Sequence, residues 1–309
     1  MDLRIFVEPQ LGASYETQLN VARTAEEHGF DAFFRSDHYI NFGPGSGEPG
    51  PTDSWVTLGA IARETSSIRL GTLVTAVTFR HAGPLAISVA QVDAMSGGRV
   101  ELGIGAAWND TEHAAYAIPF PPTGERFDLL EDTLAIVTGM WETPAGTTFS
   151  YTGKHLSVVD SPALPKPAQR PHPPIIIGGF GAKRTPRLVA TYADEYNTPF
   201  MQAKDVPAMA STIDEACEAV GRDPSTVLRS SAVVICCAEN DKDFARRAAA
   251  IGQEPDQLRQ NAVAGTPAEV VDKLGAYADA GITRVYLQLL DQTDLDHVHL
   301  LGSEVLGRI

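Results

Sequence analysis

The chain has 309 residues, of which 43% are hydrophobic and 20% charged, and its formal net charge is −15 at pH 7. A chain of this length can bury a large core, as one barrel or as two smaller domains, and its negative charge disfavours nucleic acid and anionic membranes as partners. No apolar run reaches the ~18 residues of a membrane span, and residues 1–10 lack the pattern of a signal peptide, so we predict a cytoplasmic protein.

The first part of the chain predicts alternating strands and helices. Ser14 and Asp53 are suitable N-caps for two helices, Gly29 is a suitable end for the first of them, and Pro84 fits the first position of a third. Short apolar runs between the helices predict strands. The predicted strands are 3–7, 31–35, 68–75 and 100–104, and the predicted helices are 14–28, 53–62, 84–96 and 125–139.

Residues 142–173 interrupt this alternation. Apolar and polar residues alternate over 147–159 as in a hairpin that turns at Thr152 and Gly153. The run SPALPKPAQRPHPP, residues 161–174, contains too many prolines for a helix or an interior strand. We interpret residues 142–173 as an insertion that crosses one end of the fold, within a single domain that covers residues 1–309.

The alternation then resumes. Thr266, Pro267 and Glu269 predict a helix start with a capping box. The predicted strands are 175–177, 195–197, 227–237 and 283–290, and the predicted helices are 183–192, 206–220, 242–251, 266–280 and 295–306. Eight strand and helix units in this length predict an α/β fold, a closed (β/α)8 TIM barrel with an insertion after the fourth strand, in preference to an open doubly wound sheet.

Polar residues follow most of the predicted strands. In such barrels ligands bind at the carboxyl ends of the strands, where these residues would meet. They are Glu8, Gln10, Ser36, Asp37, His38, Thr72, Thr75, Thr78, Asn109, Asn197 and Gln288.

Asp37 and His38 are the candidates for proton transfer. Histidine titrates near neutral pH, and a neighbouring carboxylate can fix the tautomer that such a role requires. The alternative is a structural pair in which Asp37 binds the ring and holds the loop. The remaining histidines and the three cysteines lack metal-ligand spacing, and no serine or cysteine lies in a G-x-S-x-G context. The sequence therefore predicts neither a metal site nor a covalent nucleophile.

A glycine-rich turn after the predicted strand 175–177 is a candidate anion site. Glycine lets a ligand approach the backbone closely, and the following helix directs free N–H groups and a partial positive charge towards the strand end. Basic side chains add to that charge. The alternative is a tight turn without a ligand. The residues concerned are Gly178, Gly179, Gly181, Lys183, Arg184 and Arg187.

Several motifs together resemble the bacterial luciferase-like monooxygenase superfamily, in its actinobacterial branch of oxidoreductases that use the deazaflavin coenzyme F420. The likeness runs from residue 1 to about residue 290 and implies a flavin or deazaflavin across the strand ends, with its phosphate held after the fifth strand. The motifs are Asp37-His38, LGTLVTAVTFRH at 70–81, MSGGRVELGIGAAWNDTEH at 95–113, RFDLLEDTL at 126–134, PIIIGGFGAKR at 174–184 and ATYADEYN at 190–197.

The resemblance also implies roles for individual residues. The ring would rest on a bulge at Leu73-Val74, where these enzymes often have a non-prolyl cis peptide. Asp37 and His38 match the pair that faces the reactive ring carbon, and Asn109 matches an asparagine that contacts the ring. The implied cofactor-binding residues are Leu73, Val74, Thr75, Gly105, Ala106, Asn109, Gly178, Gly179, Gly181, Lys183, Arg184 and Thr185.

The chain departs from the family pattern at two positions. Ala107 stands where many relatives have glycine. The deazaflavin sugar-phosphate dehydrogenases have a catalytic glutamate in the loop after the fourth strand, where this chain has alanine or tryptophan, which argues against a sugar phosphate as the substrate. Three residues stay open as a second acid, namely Glu8, Asp110 and Glu112.

Two functions fit these observations. The first is hydride transfer between F420 and a small organic substrate, with His38 as proton donor or acceptor. The second is a two-component monooxygenase that binds reduced flavin mononucleotide (FMN), like the alkanesulfonate monooxygenases. They differ in the cofactor, since a deazaflavin has carbon at the position where a flavin forms a peroxide. A non-catalytic flavin-binding protein is a third reading. The expected partner is a small molecule, with no nucleic acid or membrane, and a homodimer stays open.

Overall fold

The chain folds as a closed barrel of parallel strands in the computed structural model, which describes residues 1–43 and 45–309. Within these residues the strands are β1 (Asp2–Val7), β2 (Ala32–Arg35), β3 (Arg69–Thr72), β4 (Thr75–Ala76), β5 (Val100–Gly105), β6 (Phe149–Thr152), β7 (Ser157–Ser161), β8 (Ile175–Gly178), β9 (Glu195–Pro199), β10 (Leu228–Cys237), β11 (Val263–Gly265) and β12 (Arg284–Leu289). The helices are α1 (Tyr15–His28), α2 (Ser54–Glu64), α3 (Ala82–Ser96), α4 (Asp110–Ala115), α5 (Thr123–Glu142), α6 (Arg184–Tyr192), α7 (Val206–Ala219), α8 (Asp241–Ala250), α9 (Pro255–Asn261), α10 (Pro267–Asp279) and α11 (Leu295–Glu304).

The barrel is formed by β1, β2, β3, β5, β8, β9, β10 and β12 in that order, and β12 pairs in parallel with β1 to close the ring. The short strand β4 continues the β3 segment and pairs with β5. Strand β11 adds to the end of β10, outside the ring. This architecture confirms the predicted TIM barrel.

The segment between α5 and β8 contains an antiparallel hairpin of β6 and β7, as the sequence alternation predicted. Asp132 on α5 holds this hairpin to the helix layer. Its carboxylate accepts backbone N–H bonds from His155 at 2.7 Å and Leu156 at 3.0 Å, and the Tyr151 hydroxyl at 2.9 Å. Asp132 is buried, so its carboxylate is one of the groups that fix the insertion to the barrel.

Local capping signals place most helix starts correctly. The Ser14 and Asp53 side chains accept N–H bonds from the first turns of α1 and α2, and Thr266 forms the predicted capping box with Glu269. The prediction for α3 was wrong by two residues, since the helix begins at Ala82 and Pro84 is its third residue. Helices α4 and α9 and strand β11 were not predicted, because 3 to 7 residues are too few to show a period.

An ion network fills the amino-terminal half of the barrel interior. Arg4 on β1 is fully buried and donates two hydrogen bonds to Glu101 on β5, at 2.6 and 2.9 Å. It also donates to the Tyr286 hydroxyl at 3.0 Å, which in turn donates to Glu195 at 2.8 Å. Burial opposes ionisation of Glu101, but Arg4 outweighs that effect and lowers the pKa of Glu101 to about 2.

A second, mainly apolar layer, which shares Tyr286 with this network, lies next to it in the barrel interior. The layer consists of buried side chains from several strands and packs against Leu73 of the β3–β4 segment. Its members are Phe6, Ala32, Phe34, Ile176, Ala232 and Tyr286. Because both layers fill the interior, a ligand must bind above them, at the carboxyl ends of the strands.

No helix within the described residues is both long and apolar enough to cross a membrane.

Candidate active site at the carboxyl rim of the barrel

A backbone irregularity lies on top of the apolar layer, between β3 and β4. The Leu73-Val74 peptide bond is cis, as the resemblance implied. Two glycines on β5 make room for this segment. A Cβ atom at Gly103 would lie 1.9 Å from the Thr72 carbonyl oxygen, and one at Gly105 would lie 3.1 Å from a Val74 methyl group. Strand β5 therefore needs glycine at Gly103 so that the bulge can approach it.

Asp37 is buried and does not bind the His38 ring. Its carboxylate accepts a hydrogen bond from the Thr75 hydroxyl at 2.9 Å and forms an ion pair with Arg80. Arg80 also pairs with Asp53 at 2.5 Å, at the start of α2. The expected contact between the Asp37 carboxylate and the His38 ring is therefore wrong, because Asp37 binds Thr75 and Arg80 instead. Asp37 instead ties the loop after β2 to the segments around Thr75 and Arg80.

His38 takes its carboxylate partner from α4. Its Nδ1 atom lies 2.9 Å from Oε2 of Glu112, while Oε1 of Glu112 accepts the backbone N–H of Tyr39. Glu112 is almost fully buried, and the His38 side chain is 18% exposed. With Nδ1 bound to a carboxylate, Nε2 is the nitrogen that stays available for proton exchange. Of the three acids that sequence reasoning left open, Glu112 is the one that contacts His38.

Two exposed aromatic rings surround His38. The Phe42 and Trp108 ring centroids lie 4.9 and 5.6 Å from that of His38, and 5.6 Å from each other, all edge-to-face. Trp108 is 65% exposed, although it follows a buried strand. Large aromatic side chains exposed at a barrel mouth offer an apolar surface to a ligand. The rings of His38, Phe42 and Trp108 together form the His38 cluster.

Asn109 acts as the N-cap of the helix that carries Glu112. Its side-chain Oδ1 atom accepts the Glu112 backbone N–H at 3.2 Å. Its backbone carbonyl oxygen lies 2.6 Å from Nδ1 of His113. Asn109 is 8% exposed and lies three residues after Ala106 in sequence. Asn109 thus fixes the position of Glu112, and its predicted contact with a ring stays a prediction.

Ala107 adopts a left-handed conformation with φ of 61°. This conformation crowds an alanine Cβ, so Ala107→Gly is expected to increase the free energy of unfolding by roughly 0.5–1 kcal/mol. Ala106→Gly is the matched control, since Ala106 has no positive φ and the added chain entropy should lower stability. Urea unfolding of both variants measures the difference, and a less stable A107G protein would contradict the prediction.

The turn after β8 has the features expected of an anion site. Gly179 has φ of 126°, and a Cβ atom at Gly181 would lie 2.5 Å from the Thr185 hydroxyl oxygen, so both positions require glycine. Helix α6 begins at Arg184, directly after the turn. The unpaired N–H groups of its first turn and its dipole favour a negative ligand.

The two basic residues at this turn differ in their surroundings. The Arg184 guanidinium donates to the Gly124 carbonyl at 2.7 Å and forms an ion pair with Asp128 on α5. Hydrogen bonds from Lys154 and Arg184 hold the pKa of Asp128 well below its usual range. Lys183 is exposed, and its side chain contacts no partner among the described residues. Part of the charge that the sequence assigned to the anion site is therefore already compensated.

Glu8 lies at the same rim, at the end of β1. It is 7% exposed and accepts hydrogen bonds from Gln288 on β12 at 2.6 Å and from Gln10. Burial raises the pKa of the Glu8 carboxyl, although His38 and the two amides partly oppose this effect. The Ser36 hydroxyl donates to Gln10 at 2.7 Å and extends the network to the residue before Asp37.

The model of the luciferase-like monooxygenase family matches residues 2–254 of the chain. The chain is 27% identical to an F420-dependent glucose-6-phosphate dehydrogenase of Nakamurella multipartita, and the alignment covers 97% of this chain and 94% of that protein.

Two solved structures resemble the fold across nearly the whole chain. An F420-dependent secondary alcohol dehydrogenase in complex with an F420–acetone adduct gives a TM-score of 0.83 at 18% identity, covering 98% of this chain and 97% of that one. The oxygenating component of 3,6-diketocamphane monooxygenase, encoded on the CAM plasmid of Pseudomonas putida and complexed with FMN, gives a TM-score of 0.76 at 18% identity, covering 99% and 98%. At this identity the likeness concerns the fold alone.

Proposed function

The chain belongs to the luciferase-like monooxygenase family, and we propose that it is an oxidoreductase that transfers hydride between coenzyme F420 and a small organic substrate. The observation that carries this proposal is the His38–Glu112 pair at the barrel rim. A histidine held by a buried carboxylate suits proton transfer, which must accompany hydride transfer at a carbonyl or hydroxyl group. The nearly full-length likeness to an F420-dependent dehydrogenase supports the choice of cofactor.

The residues at the rim fit a cofactor with a flat ring system and a phosphate. Gly178, Gly179, Gly181 and Thr185, with the first turn of α6, would hold the phosphate. The ring would lie at the Leu73-Val74 segment. Thr75, which follows that segment on β4, and Gly105, Ala106 and Asn109, at and beyond the end of β5, would line the ring site. F420 would supply the hydride acceptor or donor, and all other steps would belong to the protein.

His38 would exchange the proton through Nε2. Glu112 would stabilise the charged imidazole and hold its tautomer, as carboxylates do for catalytic histidines. Asp37 would position the loop that carries His38, through Thr75 and Arg80. The exposed rings of the His38 cluster would exclude water from the reacting groups.

Lys183 rather than Arg184 is expected to supply most of the side-chain affinity for the cofactor phosphate. Lys183→Ala should weaken F420 binding about 5- to 30-fold, since charge-assisted bonds are worth roughly 1–2 kcal/mol at a partly exposed site. Arg184→Ala should have a smaller effect, because Asp128 already compensates its charge. Fluorescence titration of F420 into the two variants measures both affinities, and a larger loss in R184A would reverse the assignment.

The alternative function is an oxygenase that uses reduced FMN. The diketocamphane monooxygenase shows that this fold can hold FMN, so the barrel alone does not distinguish the two cofactors. Separate titrations of the purified protein with F420 and FMN test the choice. We expect F420 to bind at least ten times more tightly, and tight binding of FMN alone would replace the F420 assignment by the monooxygenase.

A further inference from the structure

A cavity of about 520 Å³ opens at the barrel rim next to the His38 cluster. It lies between the ends of β1 and β12 and the end of α8. Phe42 belongs both to the cavity wall and to the His38 cluster, where its ring centroid is 4.9 Å from that of His38. Glu8 also lines the cavity and interacts electrostatically with His38. A molecule in this cavity would thus be adjacent to the proposed proton-transfer residue.

Two amide oxygens of the cavity wall are unpaired acceptors. Nε2 of Gln288 donates to Glu8 at 2.6 Å, which leaves Oε1 of Gln288 without a donor among the described residues. Nε2 of Gln292 likewise donates to the Glu8 carbonyl at 2.8 Å, and its Oε1 atom is buried with no hydrogen-bond partner in the described part of the chain. Both amides are therefore oriented by Glu8, with their oxygens unpaired.

The charged residues of the cavity wall also restrict which ligands can bind. The described residues that line the cavity include two acids, Glu8 and Asp291, and no lysine, arginine or histidine. An anionic ligand would lose hydration and meet only like charge. Both carboxylate oxygens of Glu8 already accept from the amides of Gln288 and Gln10, and Oδ1 of Asp291 accepts two bonds from Thr293, so these acids have little capacity left for an ammonium group. The rest of the wall is largely apolar, which adds to the cost of burying a cation.

We propose that this cavity binds the substrate, and that the substrate is an uncharged molecule with an apolar body and a hydroxyl group that donates a hydrogen bond to Oε1 of Gln288. The assignment of this cavity as the substrate site rests on the proposed function. Binding of a ligand in the cavity does not require the cofactor. An unpaired acceptor selects strongly for a ligand with a donor, because a ligand without one leaves the buried amide unpaired.

Saturation-transfer NMR on the cofactor-free protein tests this class with four probes of one shape: benzyl alcohol, benzyl methyl ether, benzoate and benzylamine. We expect benzyl alcohol to bind at least about ten times more tightly than each of the others, a ratio that corresponds to 1.4 kcal/mol. Equal binding of the ether would remove the hydrogen-bond role, and preferred binding of benzoate or benzylamine would overturn the substrate class.

Two variants locate the binding. Gln288→Met removes the acceptor at similar size and should lower the affinity for benzyl alcohol about tenfold, whereas Gln257→Met, at an exposed glutamine on α9, should not change it. Leu11→Lys places a cation on the cavity wall at a half-buried position and should raise benzoate binding to at least that of the alcohol. Unchanged alcohol affinity in Q288M, or unchanged benzoate affinity in L11K, would show that the probes bind elsewhere. Because no cofactor is present, failure of F420 binding would refute the proposed function without affecting these results.

Discussion

Replacement of His38 by alanine is expected to lower F420-dependent turnover by about 10²- to 10⁴-fold, the usual contribution of one general acid or base. The cofactor affinity should stay near that of the wild type, because the turn after β8 lies on a different part of the rim. The loss should therefore appear in kcat, with little change in the Kd for F420. Stopped-flow absorbance of F420 measures kcat, and a fluorescence titration measures the Kd for F420.

Variants of the two neighbouring carboxylates separate their roles. Glu112→Gln removes the negative charge beside Nδ1 and should lower turnover by about 10- to 100-fold, as loss of an outer carboxylate partner typically does. Asp37→Asn should have a smaller effect on turnover than His38→Ala. It should also reduce stability, since it weakens the buried ion pair with Arg80. A H38A protein with full F420-dependent activity would remove His38 from the mechanism.

The pH profile of the variants adds a readout that a merely structural role would not change. If Glu112 stabilises the charged imidazole, its replacement should move one limb of the profile of kcat against pH to lower pH in E112Q. The same limb should stay in place in D37N, because Asp37 does not bind the ring. Equal profiles for wild type and E112Q would limit Glu112 to holding the loop.

Local signals explain why so much of the fold was predictable. Caps such as Ser14, Asp53 and the Thr266–Glu269 box depend on residues within one helical turn, so the sequence contains all the information that they need. The barrel follows from the number and order of the strands, and the rim follows from their parallel direction.

The partners of the rim residues were not predictable in this way. His38 and Glu112 are 74 positions apart, and Asp37 and Arg80 are 43 apart. The first contact depends on how the loops after β2 and β5 meet, and the second on how the loops after β2 and β4 meet, which no local pattern encodes. Glu112 also lies on α4, a six-residue helix that is too short to be recognised. Adjacency in sequence instead suggested Asp37 as the partner of His38, although Asp37 binds Thr75 and Arg80.

The interior ion network also depends on residues that are far apart in sequence. Arg4 and Glu101 occur within apolar strands and are 97 positions apart, so the sequence gives no sign that they meet inside the barrel. The guanidinium of Arg4 also lies 5.3 and 5.4 Å from the ring centroids of Phe34 and Tyr286. Such an arrangement is satisfied only when all its members are present, because each buried charge depends on the others.

Arg4→Met is therefore expected to lower the free energy of unfolding by about 3–5 kcal/mol, the usual effect of removing one member of a buried ion pair. The substitution leaves Glu101 buried with Arg69 as its hydrogen-bonded cation among the described residues. The double variant Arg4→Met with Glu101→Leu should recover a large part of the loss, since an apolar pair of similar size leaves no uncompensated charge. Urea unfolding at pH 7 compares the three proteins.

The pH dependence of stability gives an independent check on this network. In the wild type the pKa of Glu101 is about 2, below its ordinary value of 4.5, so ionised Glu101 stabilises the folded protein above pH 4.5. This contribution is lost as the pH falls from about 4.5 to about 2. Without Arg4 the pKa of Glu101 rises, so the R4M protein should lose less stability than the wild type over that interval. An R4M protein as stable as the wild type at pH 7, with the same acid dependence, would show that Arg4 and Glu101 do not stabilise each other in the barrel interior.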